Sequence, residues 1–297
     1  MVRNFLAEGM KVVVADWNEA HLAQAKAALA GSNAVHFIRV DVSDRLGVQA
    51  AADEAIATFG KIHILCNNAG VGGGGQLDDP EYDEWDRAVA VNLGGVVNGV
   101  KTIVPIIKAQ GEGGHVVNTA SMAGMVPLPG MGAYSTTKYA VRGLTESLRM
   151  TLAPHGIGVS CLFPGATRSA LVDIPDDDSS APQGEEGRFQ RELWAALRDA
   201  MDPVELGAEV VRAIRENRFH ILTHPEFLDE VKERHRLIEA DFVADPVEDV
   251  PEPPLPLRGD AAPDRRPAVR HAREGLNASP LPSREGRRSD SGLSPRL

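Results

Sequence analysis

S-M-A-G-M-V-P-L-P-G-M-G-A-Y-S-T-T-K, residues 121–138, holds three side chains that can do chemistry together: Ser121, Tyr134 and Lys138. Tyr134 and Lys138 are four residues apart, which on a helix puts them on one face. Ser121 stands thirteen residues before Tyr134, just after the apolar, strand-like run 115–119. A free phenol titrates near ~10. A neighbouring ammonium stabilises the phenolate and lowers that value, so the pair can act as general acid or base near neutral pH. A serine hydroxyl opposite can hold a substrate oxygen. Tyr and Lys four apart also serve packing and solubility on many helices, so the spacing needs its surroundings.

Those surroundings alternate. Runs rich in β-branched residues predict strands at 11–15, 35–40, 62–66, 115–119, 158–163 and 219–223. Between them, Ala-rich or amphipathic segments predict helices at 19–30, 44–59, 82–90, from Asn92 to about residue 108, 134–153, 203–217 and 225–240. K-V-V-V-A, residues 11–15, is continuously apolar after its lysine, as a strand buried on both faces should be. Such alternation predicts an α/β fold, a doubly wound parallel sheet covered by helices on both faces.

Three more motifs sit at strand ends or helix starts. N-N-A-G, residues 67–70, follows one apolar run; Val91-Asn92 marks a helix; Pro164-Gly165 follows a further apolar run. This ordered set resembles the short-chain dehydrogenase/reductase family over roughly residues 1–242. The resemblance implies a Rossmann-like domain. It implies an NAD(P)-dependent oxidoreductase that interconverts a small-molecule secondary alcohol and a ketone by hydride transfer. In that pattern Tyr134 exchanges a proton with the substrate oxygen and Ser121 orients that oxygen. Lys138 lowers the Tyr134 pKa and holds the nicotinamide ribose, while Asn92 links Lys138 to solvent through water. Asp41 and Val42 would pack beside the adenine. Asn68, Ala69 and Gly70 would line the cofactor, as would Pro164 and Gly165. Ser169, with Thr167 as a rival, would meet the nicotinamide carboxamide. Relatives are often dimers or tetramers built on the helices beginning near Asn92 and Tyr134. The closing helix is loosely similar to members that oxidise bulky aromatic secondary alcohols.

Several of these residues have a plainer reading. Asp16 ends the first strand, where an acid accepts hydrogen bonds from the adenosine ribose and repels a 2′-phosphate. Trp17 and Asn18 follow, with no Arg to receive that phosphate, which favours NAD over NADP. The plainer reading of Asp16 is a cap for the next helix. Asn67 to Gly70 could be a turn that uses Asn and Gly for positive φ. Asn92 could merely cap its helix. The four glycines at 72–75 read as a flexible loop rather than a phosphate cradle. The acidic segment 170–200 occupies the place of a substrate-choosing lid, with Leu193, Trp194 and Leu197 facing substrate or core.

Bulk composition narrows the classes. The hydrophobic content of 43% supports a packed core. A formal net charge of −11 argues against a nucleic-acid or anionic-membrane surface. Cys66 and Cys161 lie inside apolar runs, which suggests buried thiols in a reducing, cytoplasmic setting. Neither cysteine nor histidine shows metal-ligand spacing. The N-terminus has no signal-peptide pattern, and no apolar run approaches the ~20 residues of a membrane span.

The family pattern opens with a strand and a G-x-x-x-G-x-G turn that supplies pyrophosphate donors. Residues 1–8 read instead as the last turns of a helix, stopped by Gly9. The expected first strand would lie mid-sheet, between 11–15 and 62–66. Two readings follow. In one, the start is internal to a longer, working oxidoreductase, which the retained chemical residues favour. In the other, the chain is a truncated, non-catalytic form with impaired cofactor binding. Residues 243–297 form a second region: half of the prolines lie beyond Asp245, arginine is frequent and lysine is absent, so a disordered tail is expected.

Overall fold

Helices flank parallel strands on both faces, as the alternation predicts. The computed structural model describes residues 1–72, 77, 82–128, 130–169, 184, 187–188, 191, 194–195, 197 and 200–242. In chain order these form α1 (Val2–Ala7), β1 (Val12–Asp16), α2 (Glu19–Ala28), β2 (Val35–Arg39), α3 (Arg45–Phe59) and β3 (Ile64–Asn67). Then come α4 (Asp83–Ala88), a π-helical turn (Val89–Gly94), α5 (Gly95–Gln110), β4 (Gly114–Thr119) and α6 (Gly132–Leu152). The chain closes with β5 (Ile157–Phe163), α7 (Pro203–Arg215), β6 (His220–Leu222) and α8 (Leu228–Ala240). The glycines beyond Gly72, Leu193, most of the 170–200 segment and everything from residue 243 lie outside the described residues.

β1 pairs with β2, and β3, β4, β5 and β6 pair in that order, all in parallel. The sheet is therefore in two parts. Among the described residues no strand pairs with the second edge of β1 or of β3. The break falls where the sequence leads one to expect a further strand.

The β4 run shows why the strands are continuously apolar. Val116 packs with Val104 and Ile107 of α5 and Leu152 of α6. Its neighbour Val117 packs on the opposite face with Phe5 of α1 and Leu206 and Val210 of α7. Successive residues of a strand point to opposite faces, so both must be apolar here. Helix starts use side-chain caps. Asp44 Oδ1 accepts from Leu46 N–H at 3.0 Å, and Asp202 Oδ1 accepts from Val204 N–H at 2.7 Å with Pro203 in the first turn.

One helix departs from expectation. Asn92 does not open a new helix. It lies in the π turn of a continuous helical segment, Asp83–Gln110. The backbone around Asn92 is a wider turn, a device common at functional sites. This segment is also long and apolar enough, by length and composition, to cross a membrane. Asn and Gly interrupt the strictly apolar run and hid it, yet Lys101 is the lone charge between Val89 and Ile107. Its inner face is buried through Val96, Val104 and Ile107.

Candidate active site

In open α/β sheets ligands bind beyond the carboxyl ends of the strands. β4 ends there at Thr119, and Ala120 and Ser121 follow. Ser121 Oγ accepts from Ala123 N–H at 3.1 Å, capping a short 3-10 turn, and donates to the Pro164 carbonyl at 3.4 Å. The same hydroxyl shares a hydrogen bond with the Tyr134 phenol. Tyr134 and Lys138 stand on one face of α6, 7% and 4% exposed. Lys138 Nζ donates to the Thr119 carbonyl at 3.0 Å and lies 5.4 Å from the centroid of the Tyr134 ring.

The electrostatics differ from the expected pairing. Burial pushes the Tyr134 phenol above its ordinary value, and the Ser121 hydrogen bond works against that rise. Burial also pulls Lys138 down to about 8. Lys138 is turned to the Thr119 carbonyl, and burial sets the direction of the phenol's shift.

Asn92 is 1% exposed. Its Oδ1 accepts from Val71 N–H at 2.8 Å, and its Nδ2 donates to the Val71 carbonyl at 3.1 Å and to Thr137 Oγ1 at 3.2 Å. The side chain thus braces the loop after β3 against α6. It neighbours Lys138 across Gly70: a Cβ on Gly70 would stand 3.2 Å from Asn92 Oδ1 and 3.6 Å from Lys138 Nζ. A side chain there would crowd the Asn92 amide. Asn68 and Ala69 are exposed on the same loop, and Asn68 Oδ1 accepts from Thr119 Oγ1 at 3.2 Å.

The ends of β1 and β2 form a second group. Asp16 Oδ1 accepts from Asn18 N–H at 2.8 Å, and its Oδ2 lies 3.6 Å from His21 Nδ1. The cap of α2 is Asn18, whose Oδ1 takes the Ala20 and His21 amides. The capping alternative for Asp16 is therefore overturned: the cap is two residues further on. Arg39, opposite Asp16 in the β1–β2 register, donates from Nε to the Trp17 carbonyl at 3.3 Å and pairs with Glu19. A cation does stand near this strand end, and reading only the residues after Asp16 missed it. Asp41 is exposed and accepts from Ser43 N–H and Oγ at 2.9 and 2.7 Å. Val42 is held by Asn98 Nδ2, which donates to its carbonyl at 2.8 Å.

After β5, Pro164 and Gly165 turn beside Ser121. Thr167 Oγ1 donates to the Gly165 carbonyl at 3.3 Å, so this hydroxyl shapes the loop. Ser169 is exposed further along. His224 was not foreseen: it contacts this loop from the end of β6, and no local pattern marks it.

These groups suit a nicotinamide dinucleotide at two places. One is the buried donors and the space at Gly70, beside Tyr134, Lys138 and Ser121. The other is the half-exposed Asp16 carboxylate at the end of β1, an acceptor suited to ribose hydroxyls. Ser121, Tyr134, Lys138, Asn92, Gly70, Pro164 and Gly165 come together at the first. Asp16 gathers with Trp17, Asn18 and Arg39 at the second, while Asp41 and Val42 follow β2.

Comparison with known proteins points the same way. A family model described as short chain dehydrogenase matches residues 1–178. SadH of Mycobacterium tuberculosis is 42% identical over 136 residues, 45% of this chain and 49% of SadH, so the chain spans about half the length of that relative. A 3-alpha-(or 20-beta)-hydroxysteroid dehydrogenase of the same organism is 36% identical over 211 residues, covering 71% of this chain and 75% of that protein. The crystal structure of a short chain dehydrogenase/reductase from Burkholderia phymatum in complex with NAD is 37% identical, with a TM-score of 0.71 over 82% of this chain and 92% of that one.

Proposed function

The chain belongs to the short-chain dehydrogenase/reductase family, and from that premise we propose that it interconverts a small-molecule secondary alcohol and a ketone with NAD. The observation that carries this reading is the buried Ser121–Tyr134–Lys138 group at the carboxyl end of β4. A bound nicotinamide supplies hydride acceptance or donation; the protein supplies placement and electrostatics.

Tyr134 holds the transferable proton on its phenol oxygen. With that phenol raised by burial, the proton stays on at neutral pH and is ready for an alkoxide oxygen. Ser121 donates to or accepts from the same substrate oxygen and fixes its position. In the reverse direction the Ser121 hydrogen bond favours loss of the phenol proton. Asn92 keeps the Gly70–Val71 backbone beside Lys138, and Lys138 would meet the nicotinamide ribose. Asn68, Ala69, Pro164, Gly165, Thr167 and Ser169 would line the nicotinamide half, Asp16 the adenosine ribose, and Asp41 with Val42 the adenine. The Asp16 carboxylate supports NAD over NADP, although Arg39 stands close by. Exposed Val89, Val97 and Met150 accord with a homo-oligomer built on α5 and α6. Free Cys66 and Cys161 accord with a reducing compartment such as the cytoplasm.

The test is Tyr134→Phe, assayed by NADH absorbance against a panel of secondary alcohols. Turnover should vanish while NADH affinity stays within about twofold, as expected when only a proton-transfer group is lost. Loss of both together would count against this role.

A second reading is favoured by the break between β1 and β3: the chain on its own is a non-catalytic form with impaired cofactor binding. Titration with NADH and NADPH, followed by tryptophan fluorescence, separates the two. Trp17 is 61% exposed beside Asp16 and should report adenosine binding. Saturable micromolar binding of NADH supports the enzyme reading; no binding supports the second.

A further inference from the structure

Thr223 and His224 follow β6 directly. β6 runs parallel to β5, with Phe163 opposite Leu222, so both strands release their chains at the same edge. His224 therefore meets the Pro164–Ala166 loop. It is 7% exposed. Its Nδ1 lies 2.9 Å from Gly165 N and 2.8 Å from Thr223 Oγ1, and its Nε2 lies 2.9 Å from the Ala166 carbonyl oxygen. Gly165 N–H can only donate and the Ala166 carbonyl can only accept. One tautomer satisfies both: Nδ1 accepts and Nε2–H donates. A Cβ on Gly165 would stand 2.6 Å from His224 Cδ2 and 2.7 Å from Cγ, so the ring lies against bare backbone. The clamped loop then reaches the chemistry, because the Pro164 carbonyl accepts from Met122 N–H at 2.8 Å and from Ser121 Oγ at 3.4 Å.

We propose that His224 is a positioning residue, which through its Nε2–H tautomer holds the Pro164–Ala166 loop in the shape that receives the nicotinamide end of the cofactor. This rests on the dehydrogenase reading above. His224 touches no reacting atom. It acts by fixing the Pro164–Gly165 and Ala166–Thr167 peptide groups, the first of which carries the carbonyl that meets Ser121.

The experiment compares His224→Ala, His224→Asn and His224→Gln with the wild type in the full chain. It measures dissociation constants for NADH and for ADP-ribose, which lacks the nicotinamide. Asn places an oxygen acceptor near the position of Nδ1, and Gln places an amide donor near Nε2. His224→Ala should weaken NADH by about tenfold, the loss of one or two modest hydrogen bonds. ADP-ribose affinity should stay within about twofold, and Asn or Gln should recover part of the NADH loss. A purely structural role would weaken both ligands together, and that result, or NADH binding by His224→Ala equal to the wild type, overturns the proposal. Failure of the wild type itself to bind NADH overturns the dehydrogenase reading together with this one.

Discussion

Replacing Lys138 by methionine should make the protein more stable at neutral pH while destroying its activity. Lys138 is 4% exposed, and burial lowers it from an ordinary 10.5 to about 8. At ~1.36 kcal/mol per unit, holding the ammonium in the folded site at pH 7 costs about 3 kcal/mol. Methionine is similar in shape and carries no charge. It forfeits the hydrogen bond to the Thr119 carbonyl, worth about 1 kcal/mol. The net expectation at pH 7 is a gain of about 2 kcal/mol. The pH dependence gives the sharper check. Between pH 8 and 10.5 the unfolded lysine stays protonated while the folded one does not, so wild-type stability rises through that window. The variant's advantage should hold below about pH 8, shrink toward 10.5, and reverse above it by the lost hydrogen bond. Urea unfolding followed by circular dichroism at pH 7, 8, 9 and 10 measures the difference. A variant less stable than wild type at pH 7, or a difference flat from pH 7 to 10, would refute the reasoning.

Burial lowers His115 to about 4, with the Arg149 charge adding to the effect. The folded state keeps it neutral while the unfolded state takes a proton below about 6.5, so about 3 kcal/mol of stability should be lost as pH falls from 6.5 to 4. His115→Gln should flatten that loss in parallel urea titrations. Asn92→Ala leaves the Val71 amide and carbonyl without their Asn92 partners. It should cost about 2–4 kcal/mol in urea unfolding and speed hydrogen exchange at the Val71 amide, since orphaned buried groups are expensive.

The α/β architecture was legible because β-branched runs separated by Ala-rich helices leave few other arrangements. Tyr134 and Lys138 were legible for a similar reason: four residues on a helix fix a shared face whatever surrounds it. What surrounds it was not legible. The direction in which Tyr134 shifts depends on burial by segments far apart in the chain, and spacing carries no measure of that. Asn92 reads as a helix start, a place where Asn often caps, whereas the helix runs straight through it as a π turn. Of the two roles open to Asp16, Asn18 taking the cap removes one. Arg39 and His224 reach their sites only because β2 lies beside β1 and β6 beside β5. Such neighbours across strands leave no signature in a linear reading.

The divided sheet bears on cooperativity. No strand ladder joins β1 to β3 among the described residues, so the two parts are coupled through helices: α1 packs on both β1 and α7, and α3 packs on α5. Asp16 stands on one side of that division and Tyr134 and Lys138 on the other. A ligand that engages both sides would act as a cross-tie. Its binding energy would appear partly as tighter mechanical union of the two parts, by the usual mass-action stabilisation of whatever state binds. Ligand-free protein would melt in two overlapping steps, and a dinucleotide long enough to span the division would merge them into one.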